Sequence, residues 1–342
     1  MKNIIRYLIM VSMLLLGANS IYAGGGNRTG TGGAAQLLVP VGTRGIAMGG
    51  SNIATATGIE ALFWNPAGAA KMNGSATLSF SHMNYIADIG VEYGAVSANF
   101  EGFGVLSFAV KSLSVGDIAV TTNSAPDGTG QVFTPQELVA GVTYSKQLTD
   151  RIAVGVTANL ITEKIDQVSA SGLAFNVGVA YNDLADISGL SFGIVMNNIG
   201  TQMQFDGPGL LQTATVSDFN RPPSYVKIDS APFDLPTNFQ LGLSYSPKLD
   251  DVNSLSISTL FQNNNFSEDE YKFGLEYGYD NLIFLRGGYD MAARGSDQYI
   301  YGFSAGVGIN YDLGGLDVKV DYAYRDVKYF GGNHVFGVSL GF

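Results

Sequence analysis

The residues of this chain that could carry out chemistry are few and widely spaced. Cysteine is absent, which excludes disulfides, zinc–thiolate sites and a cysteine nucleophile. His82 and His334 are the only histidines, and their separation in the sequence favours neither a metal site nor a catalytic triad. No nucleophile stands in a recognisable pattern with a base. The sequence therefore predicts that the protein is not an enzyme and that it needs no metal or cofactor.

Two short motifs resemble ligand sites but lack the required context. The acidic run Ser267–Glu270 could attract calcium, yet it lacks the ligand spacing of an EF-hand loop, and we interpret it as a solvated loop tip. The glycine cluster Gly30–Gly33 does not lie between a strand and a helix, so it predicts no nucleotide site. The net charge of −11 also argues against a nucleic-acid partner.

Charged residues that alternate with apolar ones form a third candidate set. If residues 280–282 form a three-residue hairpin loop, Glu276 lies opposite Arg286. The same register places Lys272 opposite Asp290, and each pair would contribute about 0.2–1 kcal/mol. Two interpretations remain open: a polar substrate path, or a self-neutralised network that fills an interior, which we favour. The set continues downstream with Asp317, Lys319 and Asp321.

Long strands are needed to place these charges on one face. From Ser75 onward, the chain divides into segments of about ten residues in which apolar and polar residues alternate, with turn residues between them. Val318 and Val320, for example, share one face, while Lys319 lies on the other. Tyrosines gather at strand ends, as an interfacial aromatic girdle requires. We count fourteen segments: 75–86, 91–100, 103–114, 136–147, 151–164, 172–182, 189–200, 236–246, 252–262, 270–279, 283–290, 298–311, 315–324 and 333–342.

The first residues indicate export. Lys2 and Arg6 accompany an apolar run, 7–16, that is too short to span a bilayer and is followed by small residues. We therefore predict a secretory signal peptide over residues 1–23, with an uncleaved anchor as the alternative. No later run of about 20 apolar residues predicts a transmembrane helix. Two classes remain, a soluble periplasmic β-protein and an outer-membrane barrel.

The C-terminus and the connections favour the barrel. The last segment places four apolar residues on one face and stops on an aromatic residue: Phe336, Val338, Leu340 and Phe342. This pattern resembles the signal that the barrel-assembly machinery recognises. Short connections alternate with longer ones such as 115–135 and 201–235, as expected for periplasmic turns and external loops. We therefore predict an all-β fold, an antiparallel transmembrane β-barrel of about 14 strands over residues 75–342, in the bacterial outer membrane.

Residues 24–74 are not strand-like, and we predict that they form a partly helical plug, or hatch. A barrel of about fourteen strands is wider than the eight-stranded barrels that side chains fill, so its interior needs water or a plug. Abundant glycine and alanine would let a compact segment pack inside the wall. We predict a short helix over 54–63 and a turn over 65–67, because the residue before proline is pushed out of the α region. Trp64, the only tryptophan, would be the packing anchor.

The connection 201–235 is rich in proline and aspartate. A loop of this length is uncommon unless it is functional or disordered. Two interpretations remain open: a partner-docking or lid loop at the outer rim, or a solvated surface loop.

Two blocks of the plug segment resemble a known family. The stretches 42–50 (GTRGIAMGG) and 61–68 (ALFWNPAG) resemble the N-terminal motif of the PorV/PorQ family, and similarity continues through 79–82, 85–89 and 138–150. The Asn-Pro-Ala tripeptide is also similar to the wider group of FadL-like barrels. The chain departs from the family pattern at 56–58, where an acidic residue is common, and at 68–70, where Gly-Leu-Ala is usual. The residues that carry the plug motif are Arg44, Met48, Gly49, Gly50, Trp64, Asn65, Pro66, Ala67 and Gly68.

The resemblance implies a fourteen-stranded FadL-like barrel with its N-terminal segment at or inside the periplasmic end. PorV-like members act in type IX secretion, where they bind the C-terminal signal domain of cargo at the translocon and pass it to the surface-attachment machinery. FadL-like relatives instead conduct hydrophobic small molecules across the outer membrane. A structural barrel with a filled lumen and no transport is a third hypothesis. The expected partners are outer-membrane lipid, the barrel-assembly machinery and, for the first hypothesis, translocon, attachment components and cargo.

Overall fold

Fourteen antiparallel strands form a closed barrel, as the sequence predicts, in a computed structural model that describes residues 30–215, 223–295 and 297–342. The predicted signal peptide, 1–23, lies outside the described residues. Among the described residues, no helix is long and apolar enough to cross a membrane. The barrel strands are β1 (Ala76–Asn84), β2 (Gly90–Phe100), β3 (Gly104–Ser114), β4 (Gln136–Gln147), β5 (Ile152–Ile165), β6 (Val168–Tyr181), β7 (Leu190–Gly200), β8 (Asn238–Tyr245), β9 (Asn253–Asn264), β10 (Glu270–Tyr279), β11 (Ile283–Ala292), β12 (Tyr301–Asp312), β13 (Asp317–Val327) and β14 (Gly331–Gly341).

The strands form because alternating residues meet two different environments. Along β14, Phe336 and Val338 are exposed on the outer surface, whereas Val335 and Gly337 are buried toward the lumen. The terminal Phe342 is also exposed, and its backbone N–H donates to the carbonyl of Ala76 at 2.9 Å, where β14 pairs with β1. This pairing leaves the sheet without an edge, so every strand has two hydrogen-bonded neighbours, as a bilayer requires.

Three strands extend beyond the segments that the alternation predicts. β6 begins at Val168 instead of residue 172, because the chain reverses over only two residues after Ile165, which pairs with Val168. β13 runs on to Val327 and β14 begins at Gly331, so their connection is also short. The Ser- and Gly-rich composition of these ends suggests loops, but the neighbouring strand supplies hydrogen-bonding partners that extend the ladder.

The long connections lie together at one end of the barrel, which we call the outer rim because bacterial barrels keep their short turns on the periplasmic side. The connection 115–135 contains a small hairpin of Ile118–Ala119 and Val132–Phe133. The connection between β7 and β8 contains a second hairpin, Leu211–Ala214 with Ser224–Lys227. The base of that loop is tied by backbone hydrogen bonds between Met203 and Phe233.

The N-terminal segment runs through the lumen from the outer rim to the periplasmic end. Gly32 pairs with Asp234 in the outer loop, whereas the N–H of Ser75 donates to the carbonyl of Phe342 at the opposite end, at 2.6 Å. The segment therefore extends beyond the periplasmic placement that the family resemblance implies. Its elements are α1 (Thr43–Ala47), α2 (Ala61–Trp64) and 3-10 turns at Ala35–Leu37, Asn52–Ala54, Gly58–Glu60 and Pro66–Lys71.

The predicted continuous helix over 54–63 is wrong. Thr57 is extended, with φ −135° and ψ 156°, and Gly58 has a φ of +60°, so the chain changes direction between two separate turns. Asn65 is extended before Pro66, as predicted, with φ −155° and ψ 103°. Pro66 then opens a 3-10 turn, since proline suits the first helical position, where a backbone N–H would have no partner.

Candidate functional site

The plug, residues 30–74, packs against the wall where the strands carry glycine. At seven inward glycines, Gly306 on β12 and six that face each other in pairs, an added Cβ would lie closer than 3.0 Å to a plug atom, so only glycine lets the two approach this closely. Glycines face each other across three strand pairs, and we call the set the glycine belt. Its members are Gly155 on β5, Gly178 on β6, Gly193 on β7, Gly242 on β8, Gly274 on β10 and Gly288 on β11. The sequence analysis did not identify them, although a glycine inside a strand signals close backbone approach.

The Asn-Pro turn is fastened to the wall by hydrogen bonds. The fully buried Asn65 donates from Nδ2 to the carbonyls of Ile53 at 2.8 Å and Val179 at 3.2 Å. Its Oδ1 accepts from the N–H of Ala67 at 3.1 Å, and Ser145 on β4 donates to the carbonyl of Pro66 at 2.6 Å. One side chain thus joins two parts of the plug to β6.

The indole of Trp64 packs on glycines of the plug, in the anchoring position that the sequence predicts. A Cβ at Gly45 would lie closer than 3.0 Å to the indole, and Gly50 faces the same ring. Phe63 meets Trp64 edge to face, with ring centroids 5.0 Å apart. The other motif residues serve the same packing: Met48 and Ala67 are fully buried, Gly49 abuts the backbone of Tyr289, and Gly68 abuts the backbone of Ala56.

Five members of the predicted charge set, Lys272, Glu276, Arg286, Asp290 and Asp321, form ion pairs, and a residue of the plug joins them. Glu276 pairs with Arg286, and Lys272 with Asp290, in the predicted register. Arg44 extends from α1 and holds Glu276 in a two-pronged ion pair, with both N–O distances 2.8 Å. This link could not be predicted from the sequence, because 232 positions separate Arg44 from Glu276.

The network continues along the wall in an alternating order of charge. The Nε of Arg286 donates to Glu276 at 2.6 Å, and its other end is bonded to Asp321. Burial alone would lower the pKa of Arg44, but the charge and hydrogen bonds of Glu276 outweigh that effect and raise it above the usual value. Two guanidinium groups and two carboxylates therefore neutralise each other between plug and wall.

Two chambers of the lumen lie on opposite sides of the plug's centre, and smaller cavities lie between the plug and the wall. The lower chamber, of about 260 Å³, lies toward the periplasm and is bordered by Glu60, Asp317 and Lys319. Within the described ranges, no ion pair involves Asp317 or Lys319, so these two predicted network members do not join it. The outer chamber, of about 290 Å³, lies toward the outer rim and is bordered by Trp64 and by amide side chains of β7–β9. Polar groups border both chambers.

Replacing Asn65 by alanine is expected to destabilise the folded protein. The substitution removes both donors and leaves the carbonyls of Ile53 and Val179 without this partner, at a cost of about 1–3 kcal/mol for each buried group left unpaired. The lower stability would appear as a lower unfolding temperature. This is the temperature at which the protein, heated in detergent, stops migrating on a gel as a compact, fast-running barrel. Ser145→Ala, which removes only one bond to the same turn, should cost less. Equal stability of Asn65→Ala and the unmodified protein would contradict this assignment.

Comparison with known proteins agrees with this architecture. A family profile described as type IX secretion system protein PorV matches residues 23–266, more than half of the chain. The Pseudomonas putida toluene transporter TodX is 14% identical with a TM-score of 0.56, covering 88% of this chain and 96% of its own. A Pseudomonas aeruginosa FadL homologue is 13% identical with a TM-score of 0.51, covering 88% and 98%. Among curated proteins no sequence match is found.

Similarity at these identities establishes the fold, while the profile match establishes the family. The outward apolar surface and the closed strand order are those of an outer-membrane barrel. The chain is therefore a member of the PorV family, and it forms a FadL-like barrel in the bacterial outer membrane.

Proposed function

We propose that this barrel assists type IX secretion or surface attachment by docking partner proteins on its outer loops, and that it has no enzymatic activity. The observation that carries the proposal is the pair of hairpins beyond the outer rim, which expose apolar side chains to solvent. Tyr225 is 79% exposed and Val132 is 60% exposed. Exposed aromatic and aliphatic side chains at a protein surface are typical of docking sites. The proposed partners are translocon components, the attachment machinery and the C-terminal signal domains of cargo.

The lumen supports docking over conduction. A hydrocarbon channel needs a continuous apolar path, whereas amides and charges interrupt the apolar lining of both chambers. The plug between the chambers is held by the Arg44–Glu276 ion pair and by the glycine belt. TodX is described as a toluene transporter, and its fold resembles this one, so conduction of hydrophobic small molecules is the alternative that the experiment must address.

Removing the second hairpin is expected to abolish docking without unfolding the barrel. The N–H of Ile228 donates to the carbonyl of Leu210 at 2.8 Å, so the two ends of the hairpin already lie side by side. Residues 211–227 can therefore be replaced by Asn-Gly, a two-residue turn that suits a tight connection. The Met203–Phe233 contact at the base of the loop remains intact. We expect copurification of secretion components and cargo from native membranes to fall at least tenfold.

A matched control alters exposed aromatic residues at a distant part of the rim. Tyr329 is 78% exposed in the connection between β13 and β14, far around the barrel from the hairpin. Tyr329→Ser should leave copurification unchanged. Normal copurification and normal secretion by the hairpin deletion would contradict docking at this hairpin. Uptake of toluene into proteoliposomes above an empty-liposome control would support the alternative.

A further inference from the structure

We propose that the outer chamber is a binding site for a neutral carbohydrate of one or two sugar units. This inference goes beyond docking on the hairpins, because it concerns the interior of the barrel. It rests on three properties of the chamber: an amide-lined wall, aromatic side chains that face that wall, and a balance of charge.

Six amide side chains from three consecutive strands form the first wall. Gln240 donates from Nε2 to Asn238 at 3.0 Å and to Gln262 at 3.1 Å. Gln262 in turn donates to Asn264 at 2.8 Å, so the amides orient one another. Each amide offers both donors and an acceptor, which matches hydroxyl groups that donate and accept. The six are Asn197, Asn198, Asn238, Gln240, Gln262 and Asn264.

One amide oxygen of this wall has no partner. Asn197 is 8% exposed, and its Nδ2 donates to Asn238 at 3.2 Å. Its Oδ1 is buried and accepts no hydrogen bond within the part of the chain that the structure describes. A buried acceptor without a partner costs free energy, and a hydroxyl donor from a ligand would recover it.

Aromatic side chains, together with aliphatic side chains of the plug such as Leu37 and Val39, border the other parts of the chamber. Tyr85 and Tyr301 share a hydrogen bond between their hydroxyls at 2.8 Å, and Trp64 lies at the inner end. Arg325 stacks on the ring of Tyr301, with its guanidinium carbon 4.0 Å from the ring centroid, and it donates to Asn333 at 2.9 Å. Rings with polar tips can pack against the C–H face of a sugar while their hydroxyls bond to its edges.

Charge and size select the ligand class. The cations Lys272 and Arg325 border the chamber together with two carboxylates, Glu270 and Asp290, and Lys272 already pairs with both acids. Because these two positive and two negative charges balance, the chamber favours a neutral ligand over an ion. A hydrocarbon would leave the buried Oδ1 of Asn197 without a partner and would offer no hydrogen bond to the other polar groups of the wall. The volume of about 290 Å³ lies at the lower limit of ligand pockets, which suits one or two sugar units rather than a peptide.

Tryptophan fluorescence provides a direct test, because Trp64 is the only tryptophan and borders the chamber. The full-length protein, purified in a detergent without a sugar headgroup, is titrated with glucose, galactose, N-acetylglucosamine and maltose, and separately with toluene and acetate. We expect at least one sugar to give a saturable change with a Kd of about 1 mM or tighter. Toluene and acetate should give none. No response to any of the four sugars, or saturation by toluene or acetate alone, would overturn the proposal.

Two variants locate the binding. Gln240→Leu keeps the approximate size of the side chain but removes its hydrogen bonds, and it should weaken the sugar response at least tenfold. Lys319→Ala alters the lower chamber and should leave the response unchanged. If Gln240→Leu does not fold to the compact form seen on gels, Tyr301→Phe serves in its place. This variant removes only one hydroxyl, and it should weaken the affinity for the sugar at least threefold. Unchanged affinity in a folded Gln240→Leu or Tyr301→Phe variant would overturn the assignment. The assay uses purified protein, so its result is independent of docking by the hairpins.

Discussion

Replacing Glu276 by alanine is expected to release the plug and to destabilise the barrel by about 3–5 kcal/mol, the range for removing one partner of a buried ion pair. The substitution leaves Arg44 without its carboxylate, while Arg286 keeps only Asp321. The side chains of Arg44 and Glu276 are only 16% and 12% exposed, so water cannot fully replace the lost pairing. The stability of the barrel is measured as the temperature at which the heated protein loses the fast gel mobility of the folded form. Ion conductance in planar bilayers measures the release of the plug, and it should rise.

The control for this prediction lies in the same part of the lumen. Lys319 borders the lower chamber and makes no ion pair within the described ranges, so Lys319→Ala should change neither stability nor conductance. A double variant, Arg44→Met with Glu276→Leu, removes both partners and should be more stable than Glu276→Ala, because it leaves no buried Arg44 cation unpaired. Equal conductance of Glu276→Ala and the unmodified barrel would show that the ion pair does not hold the plug.

Alanine at Gly178 or Gly155 is expected to displace the Asn-Pro turn from the wall. A Cβ at Gly178 would collide with the side chain of Asn65, and one at Gly155 would collide with the backbone of Pro66. Overpacking of this kind costs about 1–3 kcal/mol. Because the two glycines are directly paired, the double variant affects one patch of wall and should lose more stability than either single variant. Thermal gel-shift measurements and protease sensitivity of the plug would record the change.

Gly141 supplies the matched control, since it is also an inward glycine of the wall, on β4. Its added Cβ would meet the end of the Asn159 side chain, which can rotate away, and none of the three atoms nearest to that Cβ belongs to the plug. Gly141→Ala should therefore leave the plug protected from protease. If Gly141→Ala and Gly178→Ala behave alike, contact with the plug is not the reason that the belt needs glycine.

The wall of the barrel was predictable because a strand in a membrane must alternate. Every one of the fourteen predicted segments overlaps an observed strand, and the paired charges Glu276 and Arg286 lie in the predicted register. The short turn after Tyr279 fixes that register, so local sequence was sufficient. The start of β6 was missed because its pairing with β5, and not the alternation itself, extends that strand to Val168.

The path of the plug was not predictable in the same way. Its helices are single turns, too short to show a helical period, so the sequence could indicate packing by small residues but not the route. The link from Arg44 to Glu276 joins residues far apart in the chain, and only the closed barrel brings them together. The outer chamber combines amides from three strands with aromatic residues of the plug and rim, and of these amide and aromatic residues only Trp64 is one that carries the plug motif recognised in the sequence.

The glycine belt has an evolutionary consequence. Where Gly155 and Gly288 meet the plug, the opposing atoms belong to its backbone, so no side-chain replacement in the plug can make room for a larger residue in the wall. A compensating mutation is thus not available in a single step. The outward residues between the belt positions need only remain apolar and can be exchanged for one another during sequence drift. Among homologous barrels that keep this plug, we expect the belt positions to change more slowly than the lipid-facing positions beside them.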